Sequence, residues 1–150
     1  MAQESITGRE IRDLVQRCAD ANAALMQGDI DGYMSLIKHA EDYTLMAPFG
    51  GAPTRGFDMS SEYRAKLARF FKAGKTDLEL VQAYASSDMA VLAIIERQRA
   101  EVGGLPEQDW SLRVTLVFRR EGSEWRLVHR HADPLVKGIG LEQAAAIARS

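Results

Sequence analysis

Two histidines one residue apart, His129 and His131, lie in the run Trp125-Arg126-Leu127-Val128-His129-Arg130-His131-Ala132-Asp133 of a 150-residue chain. In an extended strand, residues two apart point to the same side. Both imidazoles are therefore expected to share a face with Trp125 and Leu127, opposite Arg126, Val128 and Arg130. The Trp/Leu face reads as the buried one, which turns both histidines inward or toward the mouth of a pocket. With an ordinary pKa of about 6.5, a histidine can serve as general base or acid, or hold a carboxylate as the cation. The plainer role is a core histidine satisfied by a neighbouring acid or backbone carbonyl. A zinc site needs a third and usually a fourth ligand. Asp133 is on the same strand face and His39 is distant in sequence, so no metal is expected.

A second set of groups with chemistry is Arg97, Arg99 and Arg113. Arg97 and Arg99 alternate with Val91 and Ile95 on one face of their strand, and Arg113 shares a face with Thr115 and Val117. Aligned across a sheet with His129, these faces would form a cationic patch for a carboxylate or carbonyl, because guanidinium matches carboxylate geometry. Salt bridges to Glu79, Glu96 or Glu101, or a solvated sheet face, are the plainer alternatives. Tyr63 and Trp110, with Tyr33 and Tyr84, could wall such a pocket or simply fill the core. Phe49 and Phe57 could cap it or anchor their loop. No phosphate-binding loop with its lysine and no nucleophile elbow is present.

The elements that must hold these groups come in a helix-first order. Thr7 and Glu10 resemble a capping box, followed by an apolar stripe through Ile11, Leu14, Val15, Cys18, Ala21, Ala24 and Leu25, with Gly28 as terminator. Asp29 or Asp31 opens a short second helix through Tyr33, Leu36 and Ile37. Residues 42–47 read as a strand ended by Pro48, and the Gly- and Pro-rich stretch to Gly56 as a loop. Asp58 or Ser60 caps a third helix that turns Tyr63, Leu67, Phe70 and Phe71 inward and stops at Gly74. The period then changes to that of strands over residues 76–86, 88–102, 110–120 and 124–133. Short connections at 86–88 and 121–123 predict antiparallel neighbours. An alanine-rich segment, 141–149, closes the chain as a helix. Helices followed by a meander of long strands define an α+β fold, with the helices covering one sheet face and curvature opening a cavity between them.

Size and composition narrow the function classes. At 150 residues the chain reads as one domain, residues 1–150, with a core of about 8–136. A net charge of −2 and interleaved acids and bases argue against nucleic acid or an anionic membrane as partner. Cys18 is the only cysteine, so no intrachain disulfide forms. The N-terminus lacks a signal-peptide pattern and no apolar run is long enough for a spanning helix. A cytoplasmic protein is expected.

Several segments resemble the nuclear transport factor 2-like superfamily. They are Gly28-Asp29-Ile30-Asp31-Gly32, Met46-Ala47-Pro48-Phe49-Gly50-Gly51 and the closing Trp125–Asp133 motif. This superfamily includes SnoaL-like polyketide cyclases, ketosteroid isomerases and scytalone dehydratase. The closing motif is most similar to SnoaL-like domains and to the calcium/calmodulin-dependent protein kinase II association domain. The resemblance implies a cone-shaped sheet closed by N-terminal helices. It also implies a cofactor-independent isomerase, cyclase or dehydratase. Where ketosteroid isomerases carry their aspartate base, this chain has Ala47, and the oxyanion-hole positions fall near Ala21 and Val114. Steroid-type isomerisation through those positions is therefore not expected. The association domain's strand arginine falls at Thr115, which removes one matching group.

Together these readings give an expected ligand, small and either hydrophobic or carboxylate-bearing, in a cone cavity of a homodimer. His129 and His131 are the candidate catalytic groups; Arg97, Arg99, Arg113, Tyr63 and Trp110 are the candidate binding groups. The alternative is a non-enzymatic association module working through an outer sheet face with Val81, Ala83 and Val114.

Overall fold

The computed structural model describes residues 6–150, with side chains from residue 8 onward. Helix α1 (Ile6–Met26) turns its apolar stripe onto the sheet, burying Ile11, Leu14, Cys18 and Ala21. The capping box expected at Thr7 involves a side chain outside those described. Glu10 instead reaches the far end of the sheet, accepting from Arg120 Nη2 at 2.6 Å and Trp125 Nε1 at 3.2 Å. The Arg120 guanidinium also sits 4.3 Å from the Trp125 ring centroid, so one cluster ties the start of α1 to the last two long strands.

Gly28 ends α1 as the sequence predicts. It adopts φ +80°, and a Cβ there would meet Ala68 O at 2.6 Å. Asp29 N donates back to Ala24 O at 2.9 Å, the closing bond of a glycine-terminated helix. The same Asp29 caps α2 (Ile30–Leu36) by accepting from Gly32 N at 2.9 Å. Strand β1 (Lys38–Met46) follows and pairs with the two-residue β2 (Thr54–Arg55). Ser60 then caps α3 (Ser61–Phe70), accepting from Tyr63 N at 3.1 Å.

The third helix stops earlier than its pattern suggests. Phe71 already belongs to β3 (Phe71–Ala85), so it is a strand residue, and Gly74 lies within the strand rather than at a helix end. Gly74 answers to packing instead: a Cβ there would meet Met26 Cβ at 2.4 Å, because the last turn of α1 presses against β3. Helix α1 crosses β3 and β4 (Met89–Val102) on the concave side of the sheet. Two residues, Gln108–Asp109, form β5 on the edge of β4.

The remaining long strands are β6 (Leu112–Glu121) and β7 (Glu124–Pro134), and α4 (Leu141–Arg149) closes the chain. The curved, unclosed sheet runs β2-β1-β7-β6-β4-β3. The predicted antiparallel pairs β3/β4 and β6/β7 form, and β1 joins β7 in parallel. Alternation along β4 and β6 places Ala90, Leu92, Ile94, Val114, Leu116 and Phe118 against α1 in the core. Val114 therefore faces inward, and so does Ala83, which pairs with Leu92 and packs against the core; of the three residues expected on an outer association face, Val81 is the exposed one.

One irregularity decides which side chains enter the cone. Phe118 pairs with Leu127, but Val117 pairs with His129, so β7 carries one extra residue at Val128. Such a bulge flips the alternation beyond it. Trp125, Leu127 and Ala132 are buried and Arg130 turns inward with them. His129 and His131 turn to the outer face, which corrects the inward placement expected from strict alternation.

Candidate functional site

Between the helices and the concave sheet lies a cavity of about 280 Å³. Its wall is mostly apolar and aromatic: Leu25, Leu116, Phe118, Tyr63 and Trp110 contribute, with Phe49 and Phe57 from the loop after β1. Tyr63 and Trp110 thus both line the cavity. Both loop phenylalanines reach the rim, but differently. Phe57 stacks on His39 with ring centroids 3.8 Å apart, whereas Phe49 is 69% exposed.

At the cavity floor two charged residues meet. Arg130 donates from Nη1 to Glu96 Oε2 at 2.9 Å and from Nη2 to Glu96 Oε1 at 2.8 Å, a planar bidentate pair. The Glu96 side chain is only 3% exposed. Burial pulls Arg130 toward its neutral form, but the Glu96 charge and hydrogen bonds outweigh this and hold its pKa above the ordinary value. Tyr33 and Tyr43 lie within electrostatic reach of the guanidinium. Burial pushes the Tyr33 hydroxyl pKa up, reinforced by Tyr43, and pushes Tyr43 up to about 12. Both phenols stay protonated and can donate. Cys18, also in the wall, is pushed up to about 12 by burial and then by Glu96, so its thiol is inert near neutrality.

A second polar group sits one α1 turn further along. Asn22 Nδ2 donates to Gln98 Oε1 at 2.8 Å and to Thr76 Oγ1 at 3.0 Å. Thr76 Oγ1 donates to Gln98 Oε1 at 3.0 Å, and Gln98 Nε2 donates to Trp110 O at 3.0 Å. Asn22 and Gln98 both line the cavity. Glu96 and Gln98 occupy inward positions of β4, whose other inward residues are Ala90, Leu92, Ile94, Ala100 and Val102. Charge and amide at the apolar phase of a buried strand were the available sequence signal. Burying such groups requires partners, and here the partners surround a cavity.

His39 was absent from the expected catalytic set, yet it is the histidine nearest the cavity rings. Its Nε2 lies 3.0 Å from the Tyr33 hydroxyl, and it packs edge-on to Tyr43 at 4.7 Å. Burial draws its pKa from 6.5 down to about 4, so it is neutral at pH 7. The unfolded chain therefore binds more protons than the folded one between these values. His39 contributes stability in full above about pH 6.5, and this is lost as pH falls toward 4. Glu10 and Asp42, both lowered chiefly by hydrogen bonds from Arg120 and Arg119, act in the same direction below the ordinary carboxylate range. Urea unfolding from pH 7 to 4 should show the midpoint falling, and His39→Phe should flatten the arm above pH 5. An unchanged slope would assign the acid sensitivity to other groups.

The remaining candidate residues gather on the opposite face. Ile95 pairs with Arg113, and Arg113 with Asp133, while Val91, Val117 and His129 fall in one row. The arginine and histidine faces do align, but outside the cone. Arg97 donates to Glu79 at 2.8 Å, Arg99 lies 3.8 Å from Glu107 and Arg113 3.5 Å from Asp133. His131 Nε2 is 3.4 Å from Asp133, and His129 Nδ1 lies 2.8 Å from Thr44 Oγ1. Each is held by a surface partner. Among the described residues no group of three or more His, Cys, Asp or Glu is arranged to hold a metal, and no helix is long and apolar enough to cross a membrane.

A cone of helices on a bent sheet, closed over a cavity, is the nuclear transport factor 2-like fold. The chain belongs to the SnoaL-like domain family, whose model matches residues 11–136. Among solved structures it is similar to a proposed dehydratase of the NTF2-like family from Streptomyces avermitilis. That match has 23% identity, covers 87% of this chain and 98% of the other, and gives a TM-score of 0.66. It is also similar to the CaMKII hub homology domain of Chlamydomonas reinhardtii, with 15% identity, 85% and 99% coverage and a TM-score of 0.64. The association domain of C. elegans CaMKII follows at 14% identity, 83% and 95% coverage and a TM-score of 0.59. At these identities the likeness is one of fold. No curated protein matches the sequence significantly.

Proposed function

We propose that the chain binds a small, largely apolar organic molecule in the cone cavity, through a neutral carbonyl group. The observation that carries this reading is the Arg130–Glu96 pair on the wall of a mostly apolar cavity. Its two hydrogen bonds use two of the five guanidinium N–H groups, so donors remain for an incoming oxygen. Its charge is already matched, so beside this pair a carboxylate would bring an uncompensated negative charge, whereas a carbonyl would not; Lys66, the other cation of the cavity lining, is exposed to solvent. Both Glu96 oxygens face Arg130 and His39 Nε2 faces Tyr33, which favours binding over proton transfer through either group. In the test, acetophenone and benzoate are titrated into the protein and followed by NMR. Acetophenone should shift the Trp110 indole and the tyrosine rings of the cavity, and benzoate should not. No shift with acetophenone, or shifts confined to the outer face, would refute the reading.

A second reading is favoured by the outer end of the β3/β4 hairpin, where Tyr84 and Met89 are exposed on the outer face and Val81 is exposed at the neighbouring register shift. Self-association through this apolar patch would accord with the homo-oligomer expected from the sequence, and two of the similar folds are association domains. Light scattering should give a multiple of the 16.6 kDa chain mass that falls to the monomer in Val81→Asp/Tyr84→Asp. A multimer unaffected by both changes would place the interface elsewhere.

A further inference from the structure

The hydrogen-bond network around Asn22 has a direction, and that direction specifies a second group on the ligand. A backbone carbonyl can only accept, so the bond at Trp110 O must come from Gln98 Nε2. That orientation leaves Gln98 Oε1 as acceptor, and its partner on α1 must then be the Asn22 amide nitrogen. Thr76 fills the second lone pair of Gln98 Oε1 and itself accepts from Asn22. Both Asn22 hydrogens are thereby used. What remains is Asn22 Oδ1, which accepts no hydrogen bond among the described residues. Asn22 is 6% exposed and lines the cavity. The oxygen keeps access to the cavity, so the wall presents an acceptor that a bound donor would satisfy.

We infer that the ligand carries a hydroxyl, or an equivalent O–H or N–H donor, that hydrogen-bonds Asn22 Oδ1 while its carbonyl faces Arg130. The inference rests on the cavity-binding reading and adds the second anchor. Glu96 and Gln98 are two residues apart on one strand face, roughly 7 Å along the strand. The residues that hold the two anchors are thus about the width of a substituted ring apart along β4, and aromatic side chains line the cavity wall. A hydroxyl suits the Asn22 end because it can also accept from the remaining hydrogen of Gln98 Nε2. A para-hydroxyaryl ketone satisfies both ends at once.

Calorimetry with 4-hydroxyacetophenone and 4-methylacetophenone tests this, since the methyl group replaces the hydroxyl at similar size. In the unmodified protein the hydroxyl compound should bind about 10-fold more tightly, as one buried hydrogen bond implies. Asn22→Leu should abolish that preference, giving the two compounds equal affinity. Thr76→Val weakens the same network but does not touch the cavity, so the preference should persist there. Equal binding of the two compounds to the unmodified protein, or a preference that survives Asn22→Leu, would overturn the inference while leaving the cavity reading intact. Failure of both compounds to bind would overturn the two together. Should Asn22→Leu not fold, the ratio in the unmodified protein decides alone.

Discussion

Arg130→Met should destabilise the fold by about 3–5 kcal/mol, because it strands the Glu96 carboxylate in the protein interior without its counter-charge. Glu96 has two hydrogen bonds to lose and almost no solvent to replace them. The double change Glu96→Leu/Arg130→Met removes both charges and refills the space with apolar atoms. It should recover most of that loss, because replacing a buried pair by packed hydrophobic residues is often neutral or favourable. Chemical denaturation of the single and double variants gives the comparison directly. A single variant as stable as the parent would mean that Glu96 finds another partner or water. The double variant separates stability from function. If the pair is retained for the ligand, the double variant folds and fails to bind acetophenone.

Phe118→Ala carries a loss of similar size for a different reason. Phe118 is fully buried, with one side against α1 and the core and another on the cavity. Truncation removes transfer energy and leaves a void, at about 3–5 kcal/mol for a buried phenylalanine. Because the void is continuous with an existing cavity, the variant should also accept a larger ketone, such as 4-tert-butylacetophenone, better than the parent does. Thermal denaturation measures the first effect and calorimetry the second. A loss below 1 kcal/mol would mean that neighbouring side chains collapse into the space, and the larger ketone would then gain nothing.

The elements were legible because their periods are clean. The stripe from Ile11 to Leu25, the glycine stop at Gly28 and the alternation from Met89 to Val102 each predict what the structure contains. The site was less legible, and the reason lies in single residues. One extra residue at Val128 reverses the facing of everything after it in β7. Alternation counted from Trp125 therefore sends His129 and His131 inward and Arg130 outward, the opposite of what occurs. Nothing local marks the bulge, since its register depends on how β6 lies alongside. The arginines on β4 and β6 share one face, as strand alternation allows, but it is the face away from the cavity. Glu96 and Gln98 were visible as polar residues at an apolar phase, yet their partners come from α1 and β7, 76 positions and 34 positions away. Such pairings depend on the assembled fold.

The association reading and the cavity reading concern opposite faces of one sheet, so they make independent demands on the sequence. The outer face carries exposed ion pairs, each contributing little to stability, and an apolar end. The inner face carries two hydrogen-bonded polar groups, Arg130 with Glu96 and Asn22 with Gln98. Only the inner arrangement involves polar side chains buried where hydrophobic ones would pack more simply.

The central claim is that the matched Arg130–Glu96 charge selects a neutral carbonyl over a carboxylate, and calorimetry of acetophenone against benzoate tests it most directly. The unmodified protein should bind acetophenone more tightly, and Glu96→Gln, which leaves the guanidinium charge unmatched, should reverse the order. Benzoate binding more tightly to the unmodified protein, or an order unchanged by Glu96→Gln, would contradict it.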